Sequence, residues 1–167
     1  METTKTESKS IPQTFADMFA KLGVKPTVIP FMVAQTAFET GDFKSRLFHD
    51  HNNATGIVFT GKSTQKNAIK GRPLPEDPRY NYAKFATLQD WAADYVRILK
   101  LGKKPIEAVN VDDFVSRLKA NKYFSAPIDE YLKGVKTYLR KYSKVKVSAG
   151  AGGVLLLLIG VAFFLMK

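Results

Sequence analysis

AQTAFETGDFKSRLFHDHNNATGI, residues 34–57, is the stretch on which the reading of this chain turns. It begins inside the apolar run VIPFMVAQTAFETG, which Thr27 or Pro30 opens and Gly41 closes in the position glycine favours just after a helix. A helix that is apolar on nearly all sides belongs at the centre of a fold. One side chain is out of character there, Glu39 in the last turn. A carboxyl held against Phe31, Phe38 and Phe43 is partly desolvated, and the negative end of the helix dipole acts in the same direction. Both effects raise its pKa and keep a proton on it near neutral pH, as a general acid acting on a glycosidic oxygen requires. The bland alternative is an exposed glutamate at a helix end.

Outward from this helix the pattern is mostly helical. Ser10 precedes a first amphipathic segment whose Ile11, Phe15, Met18, Phe19 and Leu22 share one face, ending at Gly23. Two short β-prone runs, GIVF (56–59) and YNYAKF (80–85), flank a polar insert with Gly and Pro, and they predict a small hairpin or β-lobe. Thr87 with Asp90 forms a capping box before LQDWAADYVRIL, in which Leu88, Trp91, Tyr95, Ile98 and Leu99 face one way. Asp112 is expected to cap a short helix carrying Phe114 and Leu118, and Pro127 to start a final one. The fold class is therefore α+β, mainly helical, with no repeat, no Walker loop and no Rossmann glycine pattern.

Length and charge divide the chain further. The 167 residues carry 26 Lys+Arg against 15 Asp+Glu, a formal charge of +11, and they include no cysteine. That excludes a disulfide framework, a Cys-ligated zinc or Fe–S site and a Cys nucleophile. Residues 1–10 are polar and lack the apolar core of a secretory signal, so they are expected to be a flexible terminus. Residues 11–142 form the globular domain. Residues 143–167 begin basic and become apolar, and 148–166 is a run without charge or proline. As a helix that run extends about 28 Å, close to the roughly 30 Å of a bilayer core, so a single C-terminal transmembrane helix is expected. Lys133, Lys136, Arg140, Lys141, Lys144 and Lys146 precede it, with Leu132, Val135, Leu139, Tyr142 and Val145 among them at spacings of three and four. This pattern predicts an amphipathic helix leading into the membrane, its basic side suited to anionic headgroups. With no groove-binding motif in sight, the basic charge points to a lipid bilayer as partner and away from nucleic acid.

Beyond Glu39, residues 34–57 hold a wider pattern: Ala34, Gln35, Glu39, Thr40 and Gly41, then Ser45, then Asn52, Asn53, Gly56 and Ile57. This resembles the signature of bacterial glucosaminidase-type peptidoglycan hydrolases, glycoside hydrolase family 73, which includes the flagellar muramidases. YNYAKFATLQDWAADYVRIL is similar to that family's aromatic strand and the Ser/Thr-capped helix after it, and KANKYFSAPIDEYLKGV to its tyrosine-containing segment. The resemblance spans about residues 12–138. It implies a lysozyme-like domain with a small β-lobe and cleavage of the β-1,4 bond after N-acetylglucosamine in peptidoglycan glycan strands, with Glu39 as general acid. It also implies a second carboxylate on the β-lobe, for which Glu76 and Asp77 in PLPEDPRY are the nearest candidates. Here the chain departs from the family, since residues 63–71 contain no acid. Assistance by the sugar's own 2-acetamido group is the other route.

The same resemblance makes Tyr123 a site residue and Tyr131 a substrate contact, against ordinary core aromatics as the alternative. Asn52 and Asn53 fall at the substrate cleft, more as fixers of the turn beneath it than as chemical groups. His49 and His51 have a spacing that suits two metal ligands on one strand face. No third ligand cluster accompanies them, so neither a metal nor any other cofactor is expected.

A domain with no export signal and a basic flank before its anchor is expected to stay on the cytoplasmic side of a membrane, away from peptidoglycan. A phage lytic enzyme, anchored in a host membrane or in the internal membrane of a virion and used in entry or lysis, reconciles the two. The alternatives are a catalytically inactive wall-binding module and a membrane-lesion or scaffold protein acting through its anchor.

Overall fold

The computed structural model describes residues 9–73, 78–149 and 153–155. Helix α2 (Ile29–Glu39) is its axis: Ile29, Met32, Val33, Ala34, Gln35, Thr36 and Ala37 are all buried. Pro30 sits in its first turn, where a missing N–H is harmless. Against α2 pack α1 (Ile11–Lys21) and the long α6 (Ile128–Lys141). Helix α1 buries Phe15, Ala16, Met18 and Phe19. Among the described residues the remaining helices are α3 (Arg46–His51), α4 (Leu88–Leu99) and α5 (Val111–Ala120), with one 3-10 turn at Pro105–Glu107. Phe15, Phe19, Trp91 and Tyr95 meet at the core, Trp91 stacked on Tyr95 at 5.4 Å and edge-on to Phe15 at 5.1 Å. Such contacts add about 0.5–1.5 kcal/mol per pair beyond the area they bury.

The Thr87–Asp90 capping box forms as read: Asp90 N donates to Thr87 Oγ1 at 3.1 Å, and Thr87 N to Asp90 Oδ2 at 3.0 Å. Helix α5 differs from its reading. Its cap is Asn110, whose Oδ1 accepts from Asp113 N at 2.8 Å, and Asp112 lies within the first turn. The β-lobe also differs. β1 (Ala68–Lys70), from the polar insert, pairs antiparallel with β2 (Ala83–Phe85), Ala68 opposite Phe85. The GIVF run contributes one bridge, Val58 to Tyr82, flanked by bonds from Phe59 N to Asn81 O and Ala83 N to Ile57 O, each 2.8 Å. β2 thus has partners on both sides, and hydrophobicity picked out only one of them.

Two expectations for the C-terminal region change. The apolar side of α6 faces the core: Tyr131 and Val135 are buried, and Leu132, Tyr138 and Leu139 pack beside them. It therefore has no apolar face to lay on a bilayer. Part of its basic side is paired, Lys136 with Asp112 at 2.8 Å and Lys141 with Asp42 at 2.5 Å. After α6 the chain turns back onto α1. Lys146 exchanges two backbone bonds with the Gln13 side chain, at 2.7 and 3.0 Å, and Val147 is buried. β3 (Val147–Ala149) then pairs antiparallel with β4 (Gly153–Leu155). The described part of the expected transmembrane helix is therefore extended, and the rest lies outside the described residues. Among the described residues no helix is long and apolar enough to cross a membrane. Residues 1–8 of the expected flexible terminus also lie outside them.

Candidate active site

Helical periodicity places Gln35 and Glu39 one turn apart on the same face of α2. That face meets α6, and Tyr131 of α6 enters between the two side chains. Gln35 Nε2 donates to the Tyr131 hydroxyl at 2.9 Å, and that hydroxyl donates in turn to Glu39 Oε1. Behind Gln35 the chain continues: the Tyr95 hydroxyl of α4 donates to Gln35 Oε1. Gln35 and Tyr95 are fully buried and Tyr131 nearly so.

Glu39 itself is reachable from solvent, while the protein around its carboxyl group is dense. Desolvation raises its pKa, and the Tyr131 bond, which favours the ionised form, only partly opposes that rise. Three phenols gather around this one acid. Burial pushes the hydroxyls of Tyr95, Tyr123 and Tyr131 up, and the Glu39 charge pushes each further. All three are therefore protonated donors near neutral pH.

The turn after Glu39 is held against its backbone preference. Asp42 and Phe43 both have positive φ, 69° and 62°, unusual for side chains of this size. Thr40 bridges the turn, its Oγ1 donating to Thr36 O at 2.7 Å and accepting from Phe43 N at 2.8 Å. Phe43 stacks on Phe15 at 5.3 Å, and Asp42 is clamped by Lys141 and the Tyr142 hydroxyl. Several anchors thus fix where α2 stops and where Glu39 sits.

Tyr123 joins this cluster to a groove of about 400 Å³ beside the β-lobe, whose wall includes Thr55, Ile57, Gln65 and Arg97. Glu39 does not line the groove, and Tyr123 is the link between the two. The Tyr123 hydroxyl donates to Thr55 O at 3.1 Å, and Trp91 Nε1 donates to Thr55 Oγ1 at 3.1 Å. On the far side Gln65 ties the lobe to α4, bonding Asp94 Oδ2 at 3.2 Å and Val58 O at 3.1 Å.

The asparagines hold backbone. Asn53 is 1% exposed: its Oδ1 accepts from Ile57 N, and its Nδ2 donates to Ile57 O and Ala83 O. Its side chain is spent on backbone and presents no surface to a sugar. Asn52 caps α3 with φ 48° and donates to Phe85 O at 3.1 Å. Glu76 and Asp77 lie outside the described residues. His49 and His51 fall in a helix, where an i, i+2 spacing points two side chains apart. Among the described residues no group of three or more His, Asp or Glu is placed to hold a metal.

Gln35 and Tyr95 are the participants that sequence reasoning passed over, one as a motif position and the other as a core aromatic. The available signal was an amide four residues before the acid in an otherwise apolar helix.

A mainly helical body with a small two-stranded β-lobe fits a lysozyme-like fold. The family model described as mannosyl-glycoprotein endo-beta-N-acetylglucosaminidase matches residues 13–145, and the chain belongs to this glucosaminidase family. The fold is similar to that of the catalytic domain of the autolysin Auto from Listeria monocytogenes. The TM-score is 0.54 at 18% identity, with 83% of this chain and 89% of that one covered. No curated protein matches the chain.

Proposed function

We propose that this protein cleaves β-1,4 bonds in the glycan strands of peptidoglycan, as an endo-β-N-acetylglucosaminidase with Glu39 as its general acid. The observation that carries the reading is the Glu39 carboxyl: open to solvent, crowded by protein, and bonded through one oxygen to Tyr131. Family membership supports the class of bond, and the structural similarity to an autolysin supports the cell wall as substrate. Neutral Glu39 gives its proton to the glycosidic oxygen as the bond to the anomeric carbon breaks, and the carboxylate left behind is stabilised by Tyr131. Water adds at the anomeric carbon and loses a proton to a base. Glu76 or Asp77 fills that role, or the substrate's 2-acetamido oxygen bonds to the anomeric carbon as the leaving group departs, and the Glu39 carboxylate takes the proton of the water that displaces it. Tyr123, which lines the groove and feels the Glu39 charge, is the side chain assigned to sugar contact in this reading.

The test is clearing of purified peptidoglycan by the full-length protein in mild detergent. Glu39→Gln is expected to abolish clearing while the fold persists, and the wild-type products to carry N-acetylglucosamine at their reducing ends. N-acetylmuramic acid at those ends overturns the bond assignment. Binding without clearing by the wild type favours the wall-binding module. The double variant Glu76→Gln/Asp77→Asn separates a protein base from substrate assistance.

The tail belongs to the same proposal: residues 148–166 anchor the enzyme in a bilayer, as in a phage lysin carried in a virion or host membrane. Their freedom from charge and the basic residues ahead of them support this. A spanning helix over 148–166 and the β3–β4 pairing exclude one another, so insertion requires that hairpin to open. Circular dichroism with and without anionic vesicles tests it: helix content is expected to rise on binding. No rise and no vesicle binding rejects the anchor without touching the enzymatic reading, and leakage from the vesicles supports the membrane-lesion alternative.

A further inference from the structure

The chain Tyr95–Gln35–Tyr131–Glu39 has a direction, and that direction has a chemical consequence. An ionised carboxylate only accepts, so Tyr131 must donate to Glu39 Oε1. A phenol has one proton, so the Tyr131 oxygen must then accept, and Gln35 Nε2 supplies that bond at 2.9 Å. This orients the Gln35 amide with Oε1 facing away from Glu39, where the Tyr95 hydroxyl donates to it. Both polar atoms of the buried α2 amide have a partner, and the two partners come from different helices, Tyr95 from α4 and Tyr131 from α6.

We propose that Gln35 and Tyr95 are positioning residues for the reaction: they hold the Tyr131 proton on Glu39 Oε1, so that the transferable proton of the neutral acid resides on Oε2. This rests on the reading of Glu39 as the acid. With the amide reversed, Tyr131 would donate to Gln35 instead, and the Glu39 proton would be drawn onto Oε1 and into the protein. As the glycosidic bond breaks, the proton leaves Oε2, Oε1 gains negative charge, and the Tyr131 bond to it becomes charge-assisted. The amide and the second phenol keep that donor aimed before the charge develops, and no reorientation is needed at the moment of reaction. Other buried polar clusters lack this link to the acid. The Asp94–Gln65–Arg97 group holds the β-lobe to α4 and ends there.

Two substitutions break the chain with little change of shape: Tyr95→Phe removes one oxygen, and Gln35→Leu removes the amide. Tyr95→Phe frees the amide to reverse, so that Tyr131 donates to Gln35 Oε1, and Gln35→Leu takes away the donor that polarises the Tyr131 hydroxyl; each weakens the interaction that favours the carboxylate. The Glu39 pKa should therefore rise further in each. The readout is NMR titration of the carboxyl carbon in the full-length protein labelled at glutamate, together with the pH profile of peptidoglycan clearing. The expected result is a Glu39 titration moved to higher pH in both variants. The alkaline limb of clearing should move with it, and the maximum rate should fall about tenfold, as for one lost charge-assisted bond.

A merely structural role lowers the unfolding midpoint and leaves both titrations where they were, and that result overturns the proposal. Tyr95→Phe carries the test if Gln35→Leu does not fold. Glu39→Gln keeps the two levels apart. Retained clearing in that variant refutes the acid assignment, whereas its loss with unmoved titrations in Tyr95→Phe refutes only the positioning role.

Discussion

Asn53 offers a sharp test of how the β-lobe is joined to the helical body. Its Oδ1 accepts from Ile57 N at 3.0 Å, and its Nδ2 donates to Ile57 O at 2.8 Å and to Ala83 O at 2.9 Å. Asn53→Ala deletes all three bonds in a site without access to solvent. Ile57 O keeps its bond from Ala83 N at 2.8 Å, so its loss is partial. Ile57 N is left without the side-chain acceptor. At about 1 kcal/mol net per bond, and about 1–3 kcal/mol for a buried group left unsatisfied, the expected destabilisation is about 3 kcal/mol. Asn53→Asp discriminates further. It keeps the shape and the acceptor for Ile57 N, but turns a second oxygen toward two carbonyl oxygens with only a buried carboxyl to offer. It is expected to cost at least as much as alanine, although it is the closer mimic. Urea unfolding followed by the fluorescence of Trp91, the chain's single tryptophan and bonded to neighbouring Thr55, measures both. Tolerance of aspartate within about 0.5 kcal/mol, the range of an inconsequential surface change, would refute the assigned direction of these bonds. Loss of clearing in variants that remain folded would show that the Ile57 turn and Tyr123 depend on the same clamp.

Glu39→Gln is expected to lower clearing by about 10²- to 10⁴-fold, the usual share of a general acid. Its stability should also vary with pH in a set direction. The folded-state pKa of Glu39 is raised, so ionising it opposes folding. The variant and the wild type should match below about pH 4, and the variant should become the more stable as pH rises through the carboxylate range, read from thermal midpoints. Asp42 has the opposite sign. Its bonds from Lys141 and Tyr142 hold its pKa below the usual range, so its contribution is present above the unfolded pKa and is lost as pH falls below about 4. Asp42→Asn should flatten the acid side of the stability profile. In Gly134→Ala a Cβ would lie 2.2 Å from Phe38 Cε2 and 2.6 Å from its Cζ. Overpacking of about 1–3 kcal/mol, less about 1 kcal/mol of gained helix propensity, predicts a net loss near 1 kcal/mol in a thermal melt. Phe38 lies edge-on to Tyr131 at 5.0 Å, so clearing should fall as well.

Much of this protein is written in local patterns. The apolar run around residues 29–39, the Thr87–Asp90 box and Pro127 ahead of α6 each state an element through neighbours a few residues apart, and each is where it was read. Glu39 was legible for the same reason, as a charge where the pattern calls for an apolar residue. Contacts across the chain were not legible. β1 was missed because its pairing depends on backbone partners in β2, and AIK carries no strong strand signal. The apolar side of α6 read as a membrane face, because an amphipathic pattern says that a face is buried and not against what. Asn53 read as a fixer of the turn beneath the cleft, but its bond to Ala83 O, 30 positions along the chain, was not visible in spacing. The relay behind Glu39 joins residues separated by 60 and 96 positions along the chain. The sequence by itself determined where the carboxyl group of the central helix falls, the helix it sits on and the family signature, because these depend on spacing within a turn or two of helix. Only the tertiary structure decided which oxygen of that acid is held and by what. Those bonds exist solely because the packing of α2, α4 and α6 brings an amide and two phenols into line.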